Sequence, residues 1–408
     1  MAAGMERDVA GSLGALRESN TGRVIQALNV LGTASRAELA RRTGLARSTI
    51  STIVSELQRQ GVVVSRESNG RPASGSGRPP MLIALEPSAR LAVGVDFGKR
   101  HLAVAVADLS HAVLAERRRE MEADYDAEAG FEVAAQLVEG ALAEVGAPRD
   151  RVLGVGMGLP GPVHRTGTLG SATILPGWAG VAAAGEMSER LGLPVHVEND
   201  ANLGALAEHI YGAGAGHDTL VYLKVATGIG AGLIVDGQLF RGAGGTAGEI
   251  GHTIIDERGD ICRCGNRGCL ETYASAPAVI GLLRRSLGAE MEPEELIQRA
   301  RDGDAACSRV LADAGRHIGV AVANLCNLFN PERVVVGGSI ASAADLVLDP
   351  LRESVRLRAI PSASQDVEIV PGSLGERAEL LGALAVVLQQ AGPVVSATPT
   401  NPRRREHA

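Results

Sequence analysis

The sequence predicts a small winged helix-turn-helix domain followed by a larger α/β domain built from two related lobes. Three short helical patterns precede two strand-like segments that flank a loop rich in Gly, Ser and Pro. From about residue 91 to residue 390, short apolar strands, glycine turns and helices alternate. Three glycine-rich turns follow strands at wide, regular separation, which two related lobes around a nucleotide-type cleft explain better than coincidence does.

Length and composition set the broad class of the protein. A chain of 408 residues is too long for one small core, so at least two domains are expected. Only 2% of the residues are aromatic, so the core is expected to consist of Ala, Val and Leu with close backbone packing. The sequence has neither a run of about 18 uninterrupted apolar residues nor a signal-peptide pattern, which favours a cytoplasmic protein without membrane contact.

Charge is distributed unevenly along the chain. Residues 1–80 contain 11 arginines and six acidic residues, a net charge of +5, whereas the whole chain carries −7, which leaves −12 for the remainder. A basic domain attached to an acidic body indicates a polyanionic partner for the N-terminal domain. Chance variation is the less favoured alternative on charge alone, so the prediction also draws on the motifs below.

The N-terminal domain is expected over residues 19–86, after a flexible arm of residues 1–18. Apolar residues recur at helical spacing up to Leu31, and Ser35-Arg36-Ala37-Glu38 reads as a capping box that opens a second, short helix. The predicted elements are a helix from Thr21 to Leu31, a second from Ser35 to Gly44, a third from Ala46 to about Gln60, and strands at Val62–Val64 and Met81–Leu85.

Three helices and a two-stranded ribbon are typical of a winged helix-turn-helix, in which the third helix contacts DNA bases. The exposed start of that helix carries Arg47, Ser48, Thr49 and Thr52. An arginine and short hydroxylic side chains reach base edges and phosphates without burying apolar surface. Gly77-Arg78-Pro79-Pro80 stiffens the wing tip and presents Arg78 to a minor groove. The alternative is a helical protein-interaction module, and double-stranded DNA is the favoured partner.

The three glycine-rich turns of the larger domain are candidates for nucleotide contacts. Each can bring backbone N–H groups close to an anion, but each alone is weak evidence because such turns are common. The first includes an acid at the end of a strand, just before a tight turn. The residues concerned are Asp96 and Gly98 in the first turn, Thr227, Gly228 and Gly230 in the second, and Gly337 and Gly338 in the third.

The segment Glu198-Asn199-Asp200-Ala201-Asn202 closes a strand and opens a helix. An aspartate at such a strand end can accept a proton from a substrate hydroxyl, and Asn199 can hold a second hydroxyl. Simple N-capping by Asp200 explains the same pattern, and the segment by itself does not decide between the two.

A cluster of three cysteines and a histidine predicts a metal site. Gly248-Glu249-Ile250-Gly251-His252 is followed by Cys262, Cys264 and Cys269, and then by Glu271. Three thiols and one imidazole form a closed tetrahedral ligand set that suits Zn²⁺, and the absence of an open position indicates a structural metal. Such a site would hold Glu249 and Glu271, which flank the ligands, toward a common pocket. Free structural cysteines are the alternative.

Taken together, these motifs resemble the ROK family (repressors, open reading frames and sugar kinases) from Val93 to about Leu388. The resemblance implies an actin-like, sugar-kinase (RNase H-like) fold over residues 91–391. One lobe would comprise residues 91–210 with the C-terminal helix, the other residues 211–378, and residues 392–408 are expected to form a disordered tail. The most specific elements are Glu198–Asn202, Gly248–His252, the Cys-x-Cys-Gly-x-x-Gly-Cys loop with Glu271, and Asn327-Leu328-Phe329-Asn330-Pro331.

The resemblance also implies roles for individual residues. The sugar-contacting positions of the family correspond to Asn199, Asp200, Glu249, His252 and Glu271. The zinc ligands of the family correspond to His252, Cys262, Cys264 and Cys269. His252 would then place one ring nitrogen on the metal and the other toward a sugar hydroxyl, since metal coordination fixes the tautomer of the ring.

The chain departs from the kinase members of the family at two positions; the altered phosphate turn, with the DNA-binding domain, favours a regulator, and the other departure bears on which sugar is bound. Kinases carry Asp-x-Gly-Gly-Thr at the first phosphate turn, where this chain has Asp96-Phe97-Gly98-Lys99-Arg100, which crowds the approach of phosphates. Ile174 stands where kinases usually place a sugar-binding Asn. A DNA-binding domain is typical of the repressors and not of the kinases.

The resulting hypothesis is a sugar-responsive transcriptional regulator, most simply a repressor of carbohydrate uptake or metabolism genes and not an enzyme. A sugar or sugar phosphate in the cleft would change the affinity of a homodimer or homotetramer for a palindromic operator. The first alternative is an ATP-dependent sugar kinase, or a bifunctional kinase and regulator, that uses Asp200 as the general base. A partner-binding scaffold is the third hypothesis.

Overall fold

The computed structural model describes residues 2–67, 81–123, 125–164, 167–169, 176–178, 180–288 and 291–389. Within these ranges, no helix combines the length and apolar character that a membrane crossing requires. Three predicted features lie outside the described residues: the wing tip with Arg78, the segment with Ile174, and the C-terminal tail of residues 392–408.

The N-terminal domain has the predicted order of three helices and two wing strands, with one additional short strand. Ser35 accepts a hydrogen bond from the backbone N–H of Glu38 at 3.2 Å, as the capping box predicts, and Gly44 ends the helix in the left-handed conformation. The elements are α1 (Ala2–Leu31), β1 (Thr33–Ala34), α2 (Arg36–Thr43), α3 (Arg47–Arg59), β2 (Val63–Glu67) and β3 (Met81–Leu85), and the antiparallel sheet has the order β1-β3-β2.

The prediction of a flexible arm over residues 1–18 is wrong where the structure describes it, because α1 begins at Ala2. The sequence pattern placed the start of this helix at Thr21, where the apolar stripe begins. Residues 2–20 lack that stripe, but Ala, Leu, Met, Glu and Arg dominate them and no proline interrupts them. The helix therefore extends beyond its amphipathic part, with Ala, Leu, Met, Glu and Arg favouring it and Gly4, Gly11 and Gly14 opposing it.

The first lobe of the large domain is a five-stranded sheet with the order β6-β5-β4-β7-β8. The first three strands of this lobe, β4, β5 and β6, pair antiparallel, and β7 and β8 add in parallel. The elements are β4 (Leu91–Phe97), β5 (His101–Asp108), β6 (Val113–Glu120), α4 (Ala127–Val145), β7 (Val152–Leu159), α5 (Ala183–Leu191), β8 (Val195–Asn199) and α6 (Asp200–Tyr211).

The second lobe repeats this topology, which confirms the prediction of two related lobes. Its sheet has the order β11-β10-β9-β12-β13, again with an antiparallel meander followed by two parallel strands. The elements are β9 (Leu220–Val225), β10 (Ile229–Val235), β11 (Gln238–Leu239), α7 (Glu271–Ala274), α8 (Ala276–Leu287), α9 (Pro293–Arg301), α10 (Ala305–Phe329), β12 (Arg333–Gly337), α11 (Asp345–Arg358), α12 (Pro361–Ser364), β13 (Glu368–Pro371) and α13 (Ala378–Gln389).

The last helix, α13, returns to the first lobe and packs on β4, β7 and α6. Glycines allow backbone to approach backbone there: a Cβ on Gly156 would lie 1.9 Å from the carbonyl oxygen of Ala383, and one on Gly382 would lie 2.0 Å from that of Leu203. This close packing is the arrangement expected of a core with few aromatic side chains.

The N-terminal domain and the first lobe share one apolar core. A single continuous cluster of buried side chains includes Val24 and Leu28 of α1 together with Leu384 and Leu388 of α13. Residues of α3 and of the wing strands belong to the same cluster. Because α6 also packs on α13, the N-terminal domain lies two helices away from the end of β8, where the predicted ligand residues begin.

Candidate functional site

The predicted DNA-contacting face lies on α3 and is accessible. Arg47, Ser48 and Thr52 are exposed, whereas Thr49 is half-buried and its side chain is less available than the sequence implied. The Thr52 hydroxyl donates to the carbonyl oxygen of Ser48 at 3.1 Å. Sequence reasoning missed two exposed serines on the same helix, although their helical spacing from Ser48 could have identified them: Ser51 and Ser55.

Asn199 and Asp200 stand at the junction of β8 and α6. The N-cap is Asn199, whose side chain accepts from the backbone N–H of Asn202 at 3.1 Å and donates to the carbonyl oxygen of Gly161 at 2.9 Å. Asp200 is therefore not the capping residue, which removes the simple explanation considered for it. Its carboxylate instead contacts the side chain of Lys224 at 2.9 Å, which points toward the second lobe.

Glu249 and His252 lie in the loop that follows β11, at a single turn of 3₁₀ helix. The Nε2 atom of His252 is 4.0 Å from a carboxylate oxygen of Glu249. Burial, together with the negative charges of Asp200 and Glu271, raises the pKa of Glu249 to about 7. These effects place Glu249 in one electrostatic environment with carboxylates from both lobes.

Glu271 begins α7 and is buried. It accepts a hydrogen bond from the backbone N–H of Ile229 at 3.1 Å and forms an ion pair with Arg263 at 2.7 Å. A Cβ on Gly228 would lie 2.8 Å from this carboxylate, so the second glycine-rich turn leaves space for Glu271. Arg263 lies between two predicted metal ligands and was not singled out from the sequence, where no motif marks it.

The four predicted metal ligands lie together. The Sγ atoms of Cys264 and Cys269 are 3.7 Å apart, the Sγ atom of Cys262 is 3.6 Å from Nδ1 of His252, and all four ligand atoms lie within 4.8 Å of one another. A tetrahedron with Zn–S bonds of ~2.3 Å has S···S edges of about 3.8 Å. The donor set therefore fits a metal ion, and Nε2 of His252 faces Glu249 on the other side of the ring.

The first and third glycine-rich turns are occupied by the protein's own side chains. Asp96 is buried at the end of β4 and lies 2.9 Å from Nε2 of His101, while Gly98 donates its backbone N–H to the carbonyl oxygen of His101. In the third turn, a Cβ on Gly337 would lie 2.3 Å from the hydroxyl of Tyr222, and Gly338 has a left-handed backbone.

Two charged residues in the cleft were missed by sequence reasoning. Lys224 on β9 forms ion pairs with Asp200 at 2.9 Å and with Glu379, at the start of α13, at 3.0 Å. Burial acts to lower the pKa of Lys224, but these two carboxylates and Asp96 hold it well above its ordinary value. Three distant segments bring these residues together, and no local pattern marks them.

Comparison with known proteins agrees with this architecture. Residues 92–390 match the model of the ROK family, and residues 19–71 match that of the MarR family. Over 368 residues the chain is 32% identical to the xylose repressor of Caldicellulosiruptor bescii, which corresponds to 87% of this chain and 91% of that protein.

Two solved structures share the fold. One is a ROK family transcriptional regulator described as a homologue of the E. coli Mlc protein (TM-score 0.81, 28% identity, 93% of this chain and 98% of that chain). The other is a ROK family glucokinase from Streptomyces griseus in complex with glucose and AMPPNP (TM-score 0.65, 31% identity, 72% of this chain and 98% of that chain). The predicted family is confirmed: the chain belongs to the ROK family and carries a MarR-like DNA-binding domain at its N-terminus.

Proposed function

We propose that the protein is a sugar-responsive transcriptional regulator that represses genes of carbohydrate uptake or metabolism. One observation supports this most directly: a helix-turn-helix domain with an exposed polar recognition face shares its apolar core with the lobe that carries Asn199 and Asp200. The xylose repressor and the ROK regulator described above have the same two parts over almost their full lengths, which adds weight to this proposal.

The effector is a sugar or sugar phosphate bound in the cleft. Asn199, Asp200, Glu249, His252 and Glu271 supply the carboxylate, amide and imidazole groups that bind hydroxyls in a semi-enclosed site. Glu271 is held by Arg263 and Ile229, so its orientation is set before the ligand arrives. The hydroxyl groups of a sugar would bind these side chains in place of water, and the side chains would keep the hydrogen bonds that they already make.

The metal is zinc in a structural role. His252, Cys262, Cys264 and Cys269 would hold it as four protein ligands, which leaves no open position for catalysis. The ion would fix the loop that carries Arg263 and the ring of His252, and thereby the Glu271 and Glu249 side of the pocket.

Helix α6 connects the sugar site to the DNA-binding domain. It begins at Asp200 and ends at Tyr211, whose hydroxyl contacts Nδ1 of His111, and Nε2 of His111 lies 3.3 Å from the side chain of Asn29 on α1. Sugar binding would shift α6 and with it the orientation of the N-terminal domains in a dimer. Such a ligand changes operator affinity only to the extent that it prefers one of the two arrangements.

The experiment measures operator binding and its release by sugar. The purified protein would select fragments of its genomic DNA, and fluorescence anisotropy would give the Kd with and without a panel of aldoses, amino sugars and their phosphates. Arg47→Ala should weaken binding by about tenfold or more, whereas Arg309→Ala, an exposed arginine on α10, should leave it unchanged. Equally tight binding by a chain that lacks residues 1–85 would contradict the proposal. Light scattering tests the dimer or tetramer that a palindromic operator requires.

A sugar kinase is the second candidate, favoured by the likeness to the glucokinase with glucose and AMPPNP. Asp200 would then act as the base, and the turn Thr227–Gly232 would hold ATP phosphates. Incubation with ATP, Mg²⁺ and hexoses tests it: turnover in the common range of roughly 1–10³ per second would require a bifunctional protein.

A further inference from the structure

The floor of the cleft contains one ammonium group among three carboxylates. Lys224 contacts Asp200 at 2.9 Å and Glu379 at 3.0 Å, and the buried Asp96 contributes to the same electrostatic environment. The side chain of Lys224 is 22% exposed, that of Asp200 17% and that of Glu379 8%, so all three charged side chains are largely shielded from solvent.

The choice of lysine at this position is unusual for this chain. Of the 40 basic side chains, only Lys99 and Lys224 are lysines, and the others are arginines. An ammonium is a compact charge with three donors, so it can bond two separate carboxylates, whereas the wide planar guanidinium suits one carboxylate bidentately. An ammonium group therefore suits the space between Asp200 and Glu379 better than a guanidinium group does.

A phosphotransferase needs the space between such carboxylates for a metal ion. Mg²⁺ is typically bound through one or two carboxylates together with the phosphates of the nucleotide, and it neutralises the charge that develops on the transferred group. Here the ammonium of Lys224 already forms ion pairs with two of the three carboxylates, Asp200 and Glu379. The ring of His101 closes the neighbouring turn as well, since a Cβ on Gly98 would lie 2.1 Å from its Cε1 atom.

The contacts of Asp200 also conflict with a role as base. One carboxylate oxygen accepts from the backbone N–H of Ala201 at 2.8 Å, and the other accepts from Lys224. A carboxylate oxygen that already accepts a charge-assisted hydrogen bond is a weaker acceptor for the proton of a sugar hydroxyl.

We propose that Lys224 is a built-in cation that takes the place of a metal–nucleotide complex between Asp96, Asp200 and Glu379, so that the cleft receives a sugar without phosphorylating it. The proposal deepens the regulator function and rests on it only for the statement that the ligand is a sugar. Lys224 thus determines specificity: it selects a sugar as the sole ligand and excludes a metal–phosphate partner.

Lys224→Met tests this, because methionine keeps the length and removes the charge. With the Cys/His site saturated with zinc, Mn²⁺ binding followed by electron paramagnetic resonance should be roughly tenfold or more tighter in Lys224→Met than in the wild-type protein, since Asp200 and Glu379 lose their ion-pair partner and Asp96 loses a nearby positive charge. Lys99→Met, which changes the one other lysine, should behave like the wild type. Equal Mn²⁺ binding by folded Lys224→Met and wild type would overturn the proposal.

A measurement on the unmutated protein covers the case in which Lys224→Met does not fold. Lysine labelled with ¹³C at Cε gives only two resonances, and Lys99→Arg assigns them. The Lys224 resonance should keep its width when Mn²⁺ and AMPPNP are added at millimolar concentration. Broadening at submillimolar Mn²⁺ would contradict the proposal. Operator release by sugar is measured separately. If sugar fails to release the operator while the Lys224 resonance stays unbroadened, the regulator proposal is rejected and the proposal for Lys224 stands.

Discussion

At the scale of single residues, Arg263 joins the Cys/His cluster to Glu271, one of the proposed sugar-contacting residues. It lies between Cys262 and Cys264 in the chain, and its guanidinium bonds the carboxylate of Glu271 at 2.7 Å. His252 provides a second connection, because Nδ1 faces a thiol while Nε2 faces Glu249. The position of both acids in the pocket therefore depends on the loop that the metal would hold.

Cys264→Ser should weaken both metal and sugar binding. The substitution removes one of four ligands, and the metal affinity is expected to fall by more than about tenfold. Sugar affinity should fall as well, because Arg263 and His252 lose their fixed positions. Chelator titration with a zinc indicator and calorimetry with the effector sugar measure the two effects. Cys307→Ala, which removes a buried thiol of α10 outside the cluster, is the control. If the sugar affinity is unchanged after the metal is lost, sugar binding does not depend on the metal site.

At the scale of elements, the contact between Tyr211, His111 and Asn29 joins three parts of the fold. Tyr211 ends α6, His111 lies in the turn between β5 and β6, and Asn29 belongs to α1. Burial lowers the pKa of His111 below its ordinary value, so the neutral ring is favoured in the folded protein. A neutral imidazole has one donor and one acceptor nitrogen, which suits a ring placed between a hydroxyl and an amide.

Tyr211→Phe should reduce the communication between sugar and DNA without preventing either from binding. It removes one hydroxyl, whose hydrogen bond is worth about 0.5–1.5 kcal/mol, so the ratio of operator Kd with and without sugar should fall by roughly two- to tenfold. The measurement is an anisotropy titration at several sugar concentrations. Ser354→Ala is a control, because it loses a comparable hydrogen bond, to the carbonyl oxygen of Arg316, on the other lobe and away from the proposed sugar site. An unchanged ratio in Tyr211→Phe would exclude this route.

At the scale of the whole molecule, the common core of the N-terminal domain and the first lobe makes their stabilities interdependent. Leu28 on α1 and Leu388 on α13 are both buried in it. The single tryptophan, Trp178, is buried in a separate cluster on the opposite face of the first sheet. Its fluorescence therefore reports on the lobe and not directly on the DNA-binding domain.

Leu28→Ala should shift the Trp178 unfolding transition to lower denaturant concentration. A fully buried leucine contributes about 2–5 kcal/mol, and cooperative unfolding transmits this loss from α1 to the lobe. Urea titration with tryptophan fluorescence measures the shift. Leu31→Ala, an exposed leucine of the same helix, should have little effect. If the Trp178 transition stays in place while helix signal is lost earlier, the two domains unfold independently.

Much of the architecture could be predicted from sequence, and the exceptions share a physical cause. The helix-turn-helix and the cluster of four His and Cys side chains were predicted because each depends on local periodicity or on short spacing, and the two related lobes were predicted because three glycine-rich turns recur at regular separation. Lys224 and Glu379 were missed because their proximity arises from the pairing of strands and helices that are far apart in sequence. Arg263 was missed because nothing in its neighbours indicates that it points toward Glu271. The start of α1 was wrong because helix propensity continued where amphipathicity ended.

The main chain of α13 packs directly on the main chain of α6, so no layer of side chains separates the two helices at this point. Gly382 of α13 lies against the carbonyl oxygen of Leu203, with room for no side chain between them. Side-chain layers can absorb a displacement by changing rotamers, but a main-chain contact can only hold or separate. A ligand that displaces Asp200 would therefore move α6 and α13 together. The N-terminal DNA-binding domain packs on α13 and would move with it.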